Sequence, residues 1–133
     1  MTISAHDRKV LIRRRIEKAH EALKDAEFLT DGGRCSAAVN RIYYAIFHAL
    51  SALALQHAFS TSKHRQLIGW FNREFVKTGK VSVETGGFAH SSYDKRSVSD
   101  YDDFAEFTTE EVRPMLVKAE AVVDEIMSLT DSE

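Results

Sequence analysis

Residues 36–55 are apolar around almost the whole circumference of a helix, and this constrains the fold more than any other part of the chain. A helix of this kind lies inside a bundle or in a membrane. The most apolar run, residues 42–55, is interrupted by His48 and Ser51 and is shorter than the ~20 residues that a spanning helix needs. The sequence therefore predicts a soluble protein built around this buried segment.

Four polar side chains interrupt this apolar helix, namely Asn40, Arg41, Tyr44 and His48. The last three are spaced at i, i+3 and i+7 and therefore share one helical face. In a structural interpretation, Arg41 pairs with a buried acid and the tyrosines donate to backbone carbonyls. In a functional interpretation, the line is a polar notch that holds phosphate or nucleotide, with Arg41 as the anion anchor because its fork suits phosphate. The sequence alone leaves both open.

Length and composition limit the classes of protein that the chain can belong to. Its 133 residues predict one domain, residues 1–133, and the net charge of −2 argues against a general nucleic-acid binder. Cys35 is the only cysteine, so no internal disulfide can form. The histidines share no ligand spacing, and we predict no metal and no cofactor. No apolar leader is visible, which favours a cytoplasmic protein without a membrane contact.

Periodic apolar positions predict helices over residues 7–30, 36–58 and 63–77, a weaker one over 88–97, and a last one from Thr108 or Thr109. Ser36 is expected to cap the second helix, residues 80–87 to form a loop, and the chain to break near residues 99–100. Trp70 lies to one side of its helix and suggests a second interface. The fold class is therefore all-α, an antiparallel up-and-down bundle of four main helices plus a short extra helix.

Two further polar groups are candidates for a site. His64 follows Lys63 at the start of the third helix, where it can assist in binding an anion or simply cap the helix. Arg96 precedes Asp100 and Tyr101, so a helical or turned chain could direct them into one groove. The alternative is an acidic helix start in which Arg96 pairs with one carboxylate. A basic cluster in the first helix is either a solvated face or a partner surface; its members are Arg8, Lys9, Arg13, Arg14, Arg15 and Lys18.

Four short motifs contain most of these residues and follow one another in a fixed order. They are NRIYYAIFHA at residues 40–49, SKH at 62–64, FVKTG at 75–79 and RSVSDYD at 96–102. Together they resemble the HEPN family (higher eukaryotes and prokaryotes nucleotide-binding domain), in particular its short, stand-alone prokaryotic members. The resemblance implies a bundle of four main helices, a homodimer, and a cytoplasmic role beside a small nucleotidyltransferase, often as a toxin–antitoxin pair.

The motif around Arg96 departs from that of the active family members. Active HEPN toxins are metal-independent ribonucleases that use an Arg-x(4–6)-His motif, duplicated by dimerisation, and the 2′-hydroxyl of RNA. Here Tyr101 stands five residues after Arg96. Histidine suits acid–base work near neutral pH, whereas tyrosine, with a pKa of ~10, is a poor general base. In related toxins a tyrosine near the motif receives AMP from the partner enzyme.

Three functions follow from the residues and the resemblance. The first is a HEPN protein that acts with a nucleotidyltransferase and binds nucleotide or RNA at a cleft between two copies. The second is a ribonuclease toxin with an altered Arg-x4-Tyr motif, and the third is a non-catalytic dimerisation module. For the first two, the tentative catalytic pair is Arg96 and Tyr101, and the expected nucleotide- or RNA-binding residues are Arg41, Tyr44, His48, His64 and Asp100.

Overall fold

The computed structural model describes residues 3–130. These residues form five α-helices and one π-helical turn, and no strand occurs among them. In chain order the elements are α1 (Ala5–Asp31), α2 (Cys35–Gln56), α3 (His64–Phe71), the π-helical turn (Asn72–Val76), α4 (Val83–Tyr101) and α5 (Thr109–Ser128). The predicted all-α bundle of four long helices and one short helix is therefore confirmed.

Helix α2 is the centre of the bundle and packs against α1, α4 and α5. Ile42, Tyr43, Ile46 and Leu53 on α2 are completely buried. Helix α1 meets it through a narrow row of small residues, Ala19, Ala22 and Ala26, which lets the two backbones approach closely. By length and composition α2 could also cross a membrane. Its apolar sides are instead covered by the other helices, as expected for a core helix.

A tight turn joins α1 to α2. At the far end of α1, Ser4 caps the start of the helix by accepting a hydrogen bond from the Asp7 backbone. In the turn itself, Gly33 adopts a φ of 76°, the left-handed conformation that glycine tolerates best. The expectation that Ser36 caps α2 is wrong. The turn places Arg34 at the cap position, without a side-chain cap, and the carbonyl of Ser36 accepts a bond from the Ser99 hydroxyl at 2.9 Å.

The third predicted helix is interrupted. It was expected to run over residues 63–77, but α3 ends at Phe71 and the chain widens into the π-helical turn before Lys77. The interface suggested for Trp70 is wrong within this chain, because the indole is only 6 % exposed. It stacks on Phe59 at a centroid distance of 5.0 Å, so it belongs to the core.

Helix α4 is longer than its apolar pattern suggested. The loop expected over residues 80–87 is confined to residues 80–82, since Ser82 caps a helix that begins at Val83, and the break expected near residues 99–100 comes only after Tyr101. The two adjacent glycines suggested a loop, but both lie inside the helix. Packing explains why residue 86 is glycine, since a Cβ there would come within 2.8 Å of Val76. The unbroken helix places Arg96 and Asp100 one turn apart on one face.

Helix α5 begins where the sequence indicated. Thr108 accepts from the Glu111 backbone while the Glu111 carboxylate accepts from the Thr108 backbone, which completes a capping box. The buried side of the helix consists of Val112, Leu116, Ala119, Val122, Val123 and Ile126.

Candidate functional site

The guanidinium of Arg96 lies against three tyrosine rings where α4 crosses α2. Its central carbon is 5.2 Å from the ring centre of Tyr43, 5.4 Å from that of Tyr44 and 5.8 Å from that of Tyr93. We call these three residues the tyrosine cluster. A cation close to ring faces is attracted by their negative charge density, and the attraction is stronger away from water. Only 10 % of the Arg96 side chain is exposed, so the rings fix its position.

The polar contacts of Arg96 are long and leave some of its donors unused. One terminal nitrogen donates to the Tyr44 hydroxyl at 3.3 Å, and the other lies 3.5 Å from a carboxylate oxygen of Asp100. Its Nε is buried and has no hydrogen-bond partner among residues 3–130. A guanidinium has five N–H donors, and the two terminal nitrogens, which make one contact each, keep further N–H groups for an anionic partner.

A chain of polar side chains connects Arg96 to the central helix. Asp100 accepts from the amide of Asn40 at 3.2 and 3.3 Å, and the amide oxygen of Asn40 accepts from Arg41 at 3.0 and 2.8 Å. Arg41 therefore donates to the neutral Asn40 and not to the buried acid of the structural interpretation. Arg41 also lies 5.1 Å from the ring centre of Tyr44, which is thus placed between two guanidinium groups.

His64 belongs to the same group of rings. Its Nδ1 is 2.6 Å from the Tyr43 hydroxyl, and its ring stacks on Phe47 at a centroid distance of 4.4 Å. Burial, with a smaller effect from Arg96, lowers the pKa of His64, and burial raises the pKa of Tyr43 far above its ordinary value. The imidazole is therefore neutral at pH 7 and the phenol keeps its proton. His64, the first residue of α3, lies close to Arg96 because both residues contact the tyrosine cluster.

His48 lies farther along α2, with its ring centre 6.1 Å from that of Tyr44. Burial lowers the pKa of His48 to about 4, and the positive charges of Lys18, Arg15 and Arg41 add to the effect. Its Nδ1 is buried without a partner in the described part of the chain. His48 is therefore a neutral group next to a basic edge formed by α1 and α2.

Tyr101 does not join these residues within one chain. It lies five positions after Arg96, which turns it to another side of α4, and its side chain is 79 % exposed. It lines a shallow depression with Val98 and Phe104, whereas Asp100 faces Arg96. The structure thus brings together Arg41, Tyr44, His64, Arg96 and Asp100, with His48 beside Tyr44.

Tyr93 and Phe47 were not among the site residues expected from the sequence. Tyr93 is three residues before Arg96, so recognising an unbroken α4 would have placed both on one face. Phe47 is three residues after Tyr44 and follows the same logic on α2. Within residues 3–130 no three His, Cys, Asp or Glu side chains lie close enough to hold a metal ion together.

Comparison with known families finds a match over most of the chain. The family model described as "HEPN domain" matches residues 12–129. The chain belongs to the HEPN domain family. The resemblance read from the four sequence motifs is confirmed, and Arg96, His64 and the tyrosine cluster all lie within the matched region.

Curated relatives of this HEPN protein occur in a bacterium and an archaeon. A "UPF0332 protein" of Thermotoga maritima is 45 % identical over 114 residues, which is 86 % of each chain. "Putative toxin MJ0142" of Methanocaldococcus jannaschii is 35 % identical over 77 % of this chain and 70 % of its own length. "Putative toxin MJ0605" of the same archaeon is 36 % identical over 84 % and 82 %. The chain is thus similar to toxin-like HEPN proteins.

Proposed function

We propose that this protein is the toxin of a toxin–antitoxin pair, that it acts as a homodimer in the cytoplasm beside a small nucleotidyltransferase, and that it binds RNA around Arg96. The observation that carries RNA binding is the buried guanidinium of Arg96, which the tyrosine cluster fixes and which keeps donors unused. The names of two relatives support the toxin role.

The surroundings of Arg96 suit single-stranded RNA. Phosphates bind to positive charge, and Arg41, Arg15 and Lys18 place such charge on the α1–α2 side of the site. Unstacked bases bind to aromatic faces, and the half-buried rings of Tyr44 and Phe47 offer them. A free nucleotide presents the same phosphate and base on a smaller scale and is the alternative ligand.

RNA binding can be measured by the fluorescence anisotropy of a labelled single-stranded RNA. Arg96→Lys keeps the charge but loses the planar contacts to the rings, and we expect it to weaken binding by about tenfold or more. Arg73→Lys is the matched control, because Arg73 is an exposed arginine of the π-helical turn. Equal affinities of the wild type and the Arg96→Lys variant would contradict the proposal.

The surface around Tyr101 supports a protein partner. Tyr101 is 79 % exposed, Phe104 91 % and Val98 46 %, so three apolar side chains lie together in water at the end of α4. The exposed hydroxyl of Tyr101 is also accessible to AMP transfer by the nucleotidyltransferase. Expression of the protein alone should arrest growth, co-expression with a nucleotidyltransferase encoded beside it should relieve the arrest, and mass spectrometry should then find AMP on Tyr101. Light scattering should give the mass of a dimer for the protein alone.

A metal-independent ribonuclease is the second candidate, and the position of His64 favours it. His64 contacts the same three tyrosine rings as Arg96 and is neutral at pH 7, so an imidazole is present although Tyr101 stands where the motif of active members has histidine. Such a base removes the proton of the 2′-hydroxyl, whose oxygen then attacks the adjacent phosphorus, forms a 2′,3′-cyclic phosphate and expels the 5′-oxygen, which takes a proton from water.

An RNA cleavage assay in EDTA can distinguish the role of His64 from that of Tyr101. If His64 is the base, His64→Ala abolishes cleavage and Tyr101→Phe keeps it, while an all-deoxy oligonucleotide stays intact. Intact RNA with the wild-type protein at every ratio would exclude the ribonuclease and leave the binding function to be tested separately.

A further inference from the structure

A groove between α3, the π-helical turn and α4 is a second candidate site. Its volume is about 680 Å³, and its floor is formed by the buried side chains of Ile68 and Val76. Val83 stands at its side with 78 % of its surface exposed. Arg96 is not among the residues that line the groove, although Tyr93 contacts both places. The groove therefore lies next to the site of the proposed function but is separate from it.

Three of the six glycines of the chain line this groove. Gly86 is explained by packing, because a Cβ there would meet Val76 at 2.8 Å. A Cβ at Gly69 or Gly87 would meet nothing within 4 Å, and both residues have ordinary helical backbone. Glycine inside a helix is about 1 kcal/mol less favourable than alanine. Neither packing nor backbone conformation explains why these two residues are glycines. Because they have no side chains, however, they leave the walls of the groove open.

The polar groups of the groove are unevenly charged. The one carboxylate that the described residues place at the groove, Asp94, lies 3.4 Å from His90, a contact that becomes an ion pair only when the imidazole is protonated. Arg65 forms no ion pair among residues 3–130 and is a free cation at the groove wall. The wall also includes Asn72 of the π-helical turn, a rare conformation that is frequent at functional sites. An apolar floor beside an unpaired guanidinium is complementary to an amphipathic anion.

We propose that this groove binds a small organic anion, with its apolar body on Ile68 and Val76 and its acid group on Arg65. The volume lies within the range of about 300–1,000 Å³ that is typical of small-molecule sites. A helix of a protein partner is a poorer fit, because α3 has only eight residues and spans about 12 Å.

The probe for this proposal is 8-anilinonaphthalene-1-sulfonate, an aromatic body with one sulfonate. Glycine amides occupy their own region of a nitrogen–proton correlation spectrum and report the binding position directly. Titration should shift the amides of Gly69, Gly86 and Gly87, with a saturable one-to-one stoichiometry. The amides of Gly32, Gly33 and Gly79 lie outside the groove and should not move. This measurement uses the wild-type protein and needs no variant.

Two pairs of variants test the size and the charge of the groove. Gly87→Leu fills the open space, and we expect it to weaken binding of the probe by about tenfold, whereas Lys95→Leu on the outer side of α4 leaves the affinity unchanged. Arg65→Gln should weaken binding by about fivefold or more, in contrast to Arg73→Gln. Melting temperatures at or above that of the wild type confirm that the variants are folded.

Three results would overturn the proposal. The first is that the shifts are spread over all six glycines, and the second is that Gly87→Leu binds the probe as tightly as Lys95→Leu. The third is that Gly87→Leu changes the mass of the particle in light scattering while the groove glycines do not respond, which would make the groove a contact between copies of the chain. None of these results bears on RNA binding at Arg96.

Discussion

Arg96 and Asp100 lie one turn apart on α4 and form an ion pair at 3.5 Å in which 10 % and 29 % of the two side chains are exposed. A second arginine–aspartate pair, Arg113 with Asp31, is shorter at 2.9 Å but is exposed by 53 % and 60 %. Burial, rather than distance, decides what each arginine contributes. The first side chain also packs on three rings, whereas the second remains largely in water.

Arg96→Ala should therefore lower the free energy of unfolding by about 2–4 kcal/mol, because it removes packing against the rings, the donor to the Tyr44 hydroxyl and the ion-pair partner of Asp100, which keeps only its bonds from Asn40. Arg113→Ala is the control and should change stability by less than about 1 kcal/mol, as exposed pairs do. Urea unfolding followed by circular dichroism measures both. Equal losses would mean that the ring contacts do not stabilise the fold.

Adjacent glycines on α4 should respond in opposite directions. Gly87→Ala adds a methyl group to open space and should stabilise the protein by about 0.5–1 kcal/mol, since alanine is the better helix former. Gly86→Ala places its Cβ against Val76 and should destabilise the protein by about 1–3 kcal/mol. Thermal melts of the two variants decide the matter, and Val76→Ala should partly restore the stability of Gly86→Ala.

His48 should make the protein less stable in mild acid. Its pKa is about 4 in the folded protein and 6.5 when unperturbed, so the unfolded chain binds the proton more tightly. Stability from the neutral ring is present above pH 6.5 and is lost as the pH falls from 6.5 towards 4. Allowing for its partial exposure, the loss between pH 7 and pH 5 should be about 1 kcal/mol.

The measurement for His48 is a series of urea melts between pH 7 and pH 5. His48→Gln is the control, because glutamine has a similar size and does not titrate, and its stability should fall less over this range. The same pH dependence in both proteins would assign the loss to other groups.

The capping box of α5 should contribute measurably to stability. Thr108→Ala removes the hydroxyl that accepts from the Glu111 backbone and should lower the free energy of unfolding by about 1 kcal/mol. Hydrogen bonds from Thr108 also lower the pKa of Glu111, so the separate contribution of the Glu111 carboxylate is present above pH 4.5 and is lost as the pH falls below it. Thr108→Ser keeps the cap and should stay close to the wild type in the same urea titration.

Much of the fold could be predicted because apolar spacing directly reflects burial. The core position of α2 and the start of α5 at Thr109 followed from periodicity and capping residues. The start of α4 could not be obtained in this way, because Gly86 and Gly87 resemble a turn unless one knows that Val76 packs against the first of them. Such a contact joins distant parts of the chain and leaves no local signal.

The site was predictable to the same extent. The helical spacing of Arg41, Tyr44 and His48 placed them on one face, but the link from Asp100 to Asn40 joins residues that are 60 positions apart. The proximity of Arg96 and His64 also depends on how α3 and α4 pack over the tyrosine cluster. Tyr101 was expected beside Arg96 because the chain was expected to break near residues 99–100. The helix instead continues to Tyr101, and this turns the Tyr101 side chain to another side of α4.

The placement of Tyr101 separates its hydroxyl from the surroundings of Arg96. Arg96 is enclosed by its own rings, whereas the Tyr101 phenol projects outward from the end of the same helix. A bulky, negatively charged group attached to that phenol would leave the guanidinium undisturbed in its own subunit. Under the proposed function, inhibition by such a modification would work as a barrier, by repelling an incoming polyanion or by keeping a second copy of the chain away from Arg96.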